Sequence, residues 1–144
     1  MPVNLEDEVE YCVNRNSFPH CATPHIQRVH AIVGGDNDRP ELLAQSCQDA
    51  QLLIHESTYT QAILDKVGPG PMHSSAKMVA EFAQQQGLSN LILTHFSPRH
   101  QDSAGQQAMA EEVQALYKGN FYLAHDFDQF SLDETGQLSK VNPK

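Results

Sequence analysis

The sequence alternates short apolar runs with amphipathic helical patterns, and this alternation constrains the fold more than any other feature. The runs are continuously apolar, as in strands that are buried on both faces of a parallel sheet. They occupy residues 29–33, 52–54, 91–93 and 121–124. Because helical patterns lie between them, the order predicts βαβ units with right-handed crossovers. The expected fold class is therefore α/β, with a mostly parallel sheet.

Capping and turn residues set the expected bounds of the helices. Pro40 suits the first turn of one helix, and Ser74 is the expected N-cap of another helix that stops at Gly87. Two further helices and the two strands of a C-terminal hairpin are predicted from spacing and turn residues. These elements are residues 58–66, 103–118, 129–133 and 137–141.

The predicted helices are too few to cover both faces of the sheet. We therefore expect one apolar face to remain uncovered, as a surface for a partner chain or for self-association. Residues 1–28 show no sustained periodicity, which predicts an irregular N-terminal segment in front of an α/β unit at residues 29–144.

Composition and charge exclude several functional classes. The 144 residues, 40% hydrophobic, suffice for one core, and no apolar run approaches the roughly 18 residues that cross a bilayer. Nine Lys and Arg against 18 Asp and Glu give a net charge of −9, which argues against a broad basic surface for nucleic acid. The acidic N-terminus is unlike a signal peptide, and three cysteines without CxxC spacing favour a cytoplasmic location. Eight histidines in so short a chain call for a chemical explanation.

Polar side chains follow three successive predicted strands. Asp36 comes after the first, His55 and Glu56 end the second, and His95 ends the third. Since ligands of open α/β sheets bind beyond the carboxyl ends of the strands, these residues and His73, in the loop before a helix, are expected at one edge. Imidazole and carboxylate groups together suit a hydrolytic Zn²⁺, Mn²⁺ or Fe site. Each residue alone is equally compatible with an ordinary turn.

Four motifs in this region resemble the C-terminal half of ribonuclease Z and its close relatives, which are enzymes of the metallo-β-lactamase fold. They are VGGDN at 33–37, LIHEST at 53–58, HSS at 73–75 and LTHFSPR at 93–99. The resemblance implies half of an αββα sandwich and a metal-dependent hydrolase of phosphodiester or related ester bonds. The substrate would be an RNA or a small ester, and the family site implies two divalent metals, zinc or else manganese or iron.

The same resemblance implies a role for each matching residue. Asp36 matches the carboxylate that bridges two metal ions, and His95 matches the last histidine ligand. His73 matches the histidine that protonates the leaving group, and Glu56 matches the carboxylate that supports it. Arg99 offers a fork for a substrate phosphate, although a solvated loop arginine is the alternative.

The sequence also departs from the family pattern. Asn37 stands where the family usually has Thr, His100 where it has Tyr, and Ser57 where it has Ala. The His-x-His-x-Asp-His cluster that supplies most metal ligands has no match in the chain. We therefore expect the chain to be inactive without the missing N-terminal half. The alternative is a non-catalytic metal-binding or partner-binding remnant of the fold.

The other histidines have weaker claims to a site. His20, Cys21, His25 and His30 cluster in sequence, but their spacing fits neither a zinc finger nor the missing family motif. His125 follows the fourth predicted strand and falls on the expected metal edge, where a turn residue is the simpler interpretation.

Overall fold

A four-stranded parallel sheet lies at the centre of residues 29–142, the part of the chain that the computed structural model describes. The spatial order of the strands equals their order in the sequence, so every crossover joins neighbouring strands. The predicted α/β class with a mostly parallel sheet is confirmed. The strands are β1 Ala31–Val33, β2 Leu52–Glu56, β3 Asn90–Thr94 and β4 Asn120–Leu123.

The helices differ from the sequence prediction in two places. Pro40 does open a helix, but it is a single 3₁₀ segment, Pro40–Leu43, because Leu42 and Ala44 bond three residues back rather than four. The N-cap of the next long helix is Ser75, not Ser74: its hydroxyl accepts from the backbone N–H of Met78. The helices are α1 Gln61–Val67, α2 Ala76–Gln85 and α3 Ser103–Leu116, with a second 3₁₀ segment at Pro98–His100.

One face of the sheet carries the main hydrophobic core. Leu53, Leu91 and Leu93 are fully buried there, against small residues of α2 and against Met109 and Val113 of α3. The close approach of helix and sheet follows from the alanines of α2, which leave no bulk between the two layers.

The second face of the sheet, which the sequence predicts to be uncovered, is in part covered, and this corrects the prediction. A C-terminal hairpin, β5 Gln129–Leu132 and β6 Leu138–Val141, folds back over it. Its Leu138 is buried with Leu52 and Ile92 of the sheet. The apolar surface that remains lies at the β1 edge, where the side chain of Val33 is 72% exposed.

The amide side chains of Asn90, which is buried, and of Asn120 fasten this hairpin to the sheet. The Nδ2 of Asn90 donates to the backbone oxygens of Gln51, at 2.8 Å, and of Gly136, at 2.7 Å. Asn120 Nδ2 donates to the backbone oxygen of Leu138 at 3.0 Å.

No helix among the described residues is long and apolar enough to cross a bilayer.

The second 3₁₀ segment sits directly under the first turn of α3, and only a glycine fits between them. A Cβ atom at Gly105 would lie 2.5 Å from the Cα of His100 and 2.9 Å from Oδ1 of Asp102, the N-cap that accepts from the Gly105 N–H. We expect Gly105→Ala to lower the free energy of unfolding by about 1–3 kcal/mol, as other overpacked sites do. Helix propensity alone would raise the free energy of unfolding instead, because alanine favours a helix more than glycine does. Urea denaturation measures the change.

Gly70→Ala is the matched control, because nothing lies within 4 Å of a Cβ atom at that position. An unfolding free energy for Gly105→Ala equal to or above that of the unsubstituted chain would contradict the packing described here.

Candidate metal centre

Three polar side chains from three loops meet at the carboxyl edge of the sheet. Asp36 follows β1, His95 follows β3 directly, and His73 comes from the loop before α2. One potential ligand atom of each lies within 4.8 Å of the others. Asp36 and His95 are exposed, whereas His73 is largely buried, so the cluster opens to solvent on one side. The parallel order of the strands brings these three residues to one edge of the sheet, and Arg99 is not among them.

The donor set suits a divalent metal ion. Zinc ligands at about 2.0–2.2 Å from the ion lie roughly 3.5 Å apart in a tetrahedral site, so the observed spacing needs only a small inward movement. The Nδ1 atom of His73 is buried and accepts or donates no hydrogen bond within residues 29–142. Oε1 of Glu56 lies 3.5 Å from this nitrogen, at the outer limit of a hydrogen bond, so the nitrogen can still bind a ligand or a proton.

The carboxylate of Glu56 holds the surrounding loops in place. It is 2% exposed and ends β2. Its Oε1 accepts from the backbone N–H of Ser74 at 2.6 Å and, more weakly, from that of Asn37 at 3.4 Å. Its Oε2 accepts from the N–H of Thr58 at 2.9 Å and from the Thr58 hydroxyl at 2.8 Å. One side chain thus links the loops that follow β1 and β2 to the loop that carries His73.

Thr58 extends this network to His95. Its Oγ1 lies 3.0 Å from Nδ1 of His95. Because the single hydroxyl proton goes to Glu56, Oγ1 is the acceptor, and His95 Nδ1 carries the proton. The other ring nitrogen, Nε2, then has its lone pair free to bind a metal. Sequence reasoning assigned no role to Thr58, since a threonine after a strand has many uses.

His73 lies between two rings and the Glu56 carboxylate. Its ring centre is 5.2 Å from that of His95 and 6.1 Å from that of Tyr59, and its Nδ1 is 3.5 Å from Oε1 of Glu56. The sequence-based pairing of His73 with Glu56 is therefore compatible with the geometry. The carboxylate faces the imidazole from the buried side of the cluster.

Strained backbone accompanies the site. His95 has φ 58° and Met72, next to His73, has φ 57°, both in the left-handed region that disfavours side chains. Such conformations persist where surrounding contacts over-determine them, and they concentrate at functional sites.

The segment after His95 carries one exposed basic residue, Arg99, and one buried one, His100. Arg99 is exposed on the Pro98–His100 segment and forms no ion pair with the described residues. His100 is buried, and its Nε2 accepts from the backbone N–H of Thr60 at 3.3 Å. Burial lowers the pKa of His100, partly offset by the nearby Glu112 carboxylate, so the neutral ring is the acceptor that this bond needs.

The remaining histidines lie outside the three-residue cluster. His55 is fully buried beneath Gly34, and its Nδ1 lies 2.6 Å from the backbone oxygen of Glu56. His30 is exposed just before β1, at the opposite edge of the sheet. His125 is exposed at the carboxyl edge and lines a cavity together with His95. The other members of the N-terminal group, His20, Cys21 and His25, lie outside the described residues.

Sequence comparison finds close similarity to ribonuclease Z proteins. The ribonuclease Z of Marinobacter nauticus is 53% identical over 125 residues, which are 82% of this chain and 38% of that protein. The ribonuclease Z of Pseudomonas putida is 44% identical over 114 residues, or 76% of this chain and 36% of that protein. A more distant ribonuclease Z, from Haloarcula marismortui, is 33% identical over 95 residues. The chain spans less than two fifths of the length of the first two relatives.

Structural comparison agrees on the fold. The metallo-beta-lactamase fold protein YhfI from Bacillus subtilis superposes with a TM-score of 0.56 at 18% sequence identity, covering 77% of this chain and 39% of that one. No model of a protein family matches the chain. The metallo-β-lactamase fold implied by the sequence motifs is therefore confirmed.

The Glu56 network predicts a large effect from a one-atom change. Glu56→Gln replaces an acceptor with an NH₂ group that must face N–H donors, so the free energy of unfolding should fall by about 2 kcal/mol or more. Urea denaturation measures this change, and Glu41→Gln, an exposed glutamate of the first 3₁₀ segment, is the control. Equal stabilities of the two variants would show that the carboxylate does not hold the loops.

Proposed function

Because this chain resembles ribonuclease Z in sequence and has a metallo-β-lactamase fold, we propose that it forms part of a metal-dependent hydrolase of phosphodiester or related ester bonds. The observation that carries the proposal is the convergence of Asp36, His73 and His95, three residues of the matching motifs, within 4.8 Å. Divalent metals, zinc or else manganese or iron, suit these oxygen and nitrogen donors.

We assign a separate task to each side chain. Asp36 and His95 would hold the metal centre, whose ions stabilise charge that develops on the substrate when they are bound. His73 would deliver a proton to the departing oxygen, a step that an imidazole near neutral pH performs well. Glu56 would position the imidazole of His73. Arg99, exposed on the turn beyond His95, would contact a substrate phosphate.

The charge of the chain bears on the substrate. The net charge of −9 argues against a broad basic track for a long RNA, so small phosphodiesters or short single-stranded RNA fit better. We also propose a cytoplasmic location, because the Cys47 thiol is free and buried, as in a reducing compartment.

The relatives are more than twice the length of the matched segment, and only three donors gather among residues 29–142. We infer that a partner chain or segment supplies further ligands and covers the apolar surface around Val33. The small number of donors also favours a second candidate function, a metal-binding or partner-binding module without turnover.

Metal binding separates the roles of the three residues. Asp36→Ala and His95→Ala should each weaken binding of Zn²⁺ or Mn²⁺ by at least about tenfold, because each removes a direct ligand. His73→Ala should leave metal affinity nearly unchanged. Isothermal titration calorimetry measures the affinities, with the exposed Asp49→Ala and His30→Ala as matched controls. A loss for His73→Ala as large as for Asp36→Ala would make His73 a ligand rather than a proton donor.

Activity separates the two candidate functions. The chain should hydrolyse bis-p-nitrophenyl phosphate only when it is co-expressed with the portion of the Marinobacter nauticus relative that it does not match. Precursor tRNA, assayed in parallel, tells an RNA-processing enzyme from a general phosphodiesterase. If the combined chains bind metal without cleaving either substrate, the non-catalytic module is the better description.

A further inference from the structure

The turn that carries Asp36 lies beyond the part of β1 that the sheet holds. Pairing of β1 with β2 ends at the N–H of Gly34, which donates to the oxygen of Ile54 at 2.8 Å, two residues before Asp36. The side chain of Asp36 is exposed, so burial does not fix its carboxylate. The position of this candidate ligand therefore depends on how its neighbours attach the turn to the rest of the fold.

Asn37, the next residue, uses all of its polar groups. Its backbone N–H donates to Oε1 of Glu56, and its backbone oxygen accepts from the hydroxyl of Ser74 at 2.5 Å. In the side chain, Oδ1 accepts from the N–H of Arg39 at 2.9 Å, which is an Asx turn, and Nδ2 donates to the oxygen of Arg39 at 3.1 Å. Because a backbone N–H only donates and a backbone oxygen only accepts, these two bonds determine the orientation of the amide.

The second hydrogen of this amide goes to His55. Nδ2 of Asn37 lies 3.3 Å from Nε2 of His55, whose side chain is fully buried. Nδ1 of the same ring lies 2.6 Å from the backbone oxygen of Glu56, so Nδ1 carries the proton and Nε2 holds a lone pair. Asn37 is therefore the donor, and without it Nε2 would be a buried acceptor that has lost its partner.

His55 is a firm point of attachment for the turn. It lies on β2, which pairs with β1 on one side and with β3 on the other. Its ring also lies against the backbone of Gly34, where a Cβ atom would be 2.8 Å from Cδ2 of His55. One imidazole thus contacts the turn before Asp36, at Gly34, and after it, at Asn37.

We propose that Asn37 and His55 form a clamp that positions Asp36 for metal binding. The imidazole holds the turn on both sides of Asp36, and the bond from Ser74 joins the same turn to the loop that carries His73. Asn37 and His55 are positioning residues, because neither belongs to the cluster of candidate ligands. This inference rests on the proposed function, in which Asp36 is a metal ligand.

The clamp is a feature of this chain rather than of the family pattern, which usually has threonine at position 37. Threonine has a single hydroxyl proton, whereas the bonds from Asn37 to the oxygen of Arg39 and to His55 require two. The motif that carries the resemblance to ribonuclease Z therefore does not imply this contact.

Asn37→Ser tests the clamp without removing the turn. The serine hydroxyl can still accept from the Arg39 N–H, as serine does in comparable turns, but it is too short to reach His55. The variant should bind Zn²⁺ about three- to tenfold more weakly, because the ligand is kept and only its support is lost. Isothermal titration calorimetry measures the affinity.

Tyr117→Phe is the matched control for a general loss of stability. It removes a buried hydroxyl that donates to the oxygen of Leu88 at 2.7 Å, just before β3 and at the opposite edge of the sheet. This variant should unfold at a lower temperature and keep its zinc affinity. Equal losses of affinity in Asn37→Ser and Tyr117→Phe would indicate general loosening of the fold and would overturn the positioning role.

A second measurement needs no metal. In buffer with a chelator, ¹⁵N–¹H NMR should show the ring of His55 with its proton on Nδ1. Asn37→Ser should shift the Nε2 resonance of His55, and amide hydrogen exchange at residues 34–39 should become faster than in the unsubstituted chain. The ring of His30, exposed at the other edge of the sheet, is the internal reference and should not shift.

The two measurements together decide the proposal. An unchanged Nε2 resonance in Asn37→Ser would show that the clamp does not exist, and a shifted resonance with unchanged zinc affinity would make the contact purely structural. If Asp36→Ala and the unsubstituted chain bind zinc alike, Asp36 is not a ligand. That result would reject the proposed function, whereas the exchange rates would still decide whether Asn37 and His55 hold the turn.

Discussion

The buried carboxylate of Glu56 is the interaction on which the arrangement of the site depends. A parallel sheet aligns the ends of its strands but leaves the loops beyond them free to take many paths. Here the loops that follow β1 and β2 and the loop that precedes α2 present backbone N–H groups to the same two oxygens. Hydrogen bonds to an ionised acceptor are about twice as strong as neutral ones, and burial removes the competition from water.

The same carboxylate connects the chemistry of the two histidines. It faces His73 directly and reaches His95 through the hydroxyl of Thr58. The first contact sets the carboxylate beside the ring of His73, and the second fixes the tautomer of His95 whose Nε2 can bind a metal. Two residues of one type thereby acquire different properties at neighbouring positions, because one acidic group meets them in different ways.

The sequence predicts a site at this edge of the sheet because the main signals are local. A strand that ends in Asp, His or Glu can be recognised from a few residues, and the parallel order then places those ends together. The roles of Thr58 and Ser74 could not be read in this way, since they depend on hydrogen bonds to residues that are distant in the sequence, His95 for Thr58 and Glu56 for Ser74. The cover of the second sheet face was missed for a related reason: Leu138 looks like any hairpin residue, and only the amides of Asn90 and Asn120 show where the hairpin is attached.

The left-handed backbone at His95 restricts how this position can change over evolutionary time. After glycine, the residues that occupy that region most readily are asparagine, aspartate and histidine, whereas β-branched residues are strongly disfavoured. Asparagine and aspartate, two of the three alternatives to histidine, carry a side-chain oxygen that can bind a metal. The conformation therefore filters substitutions before any selection on activity, and most replacements that the fold tolerates still present a polar atom to the edge of the sheet.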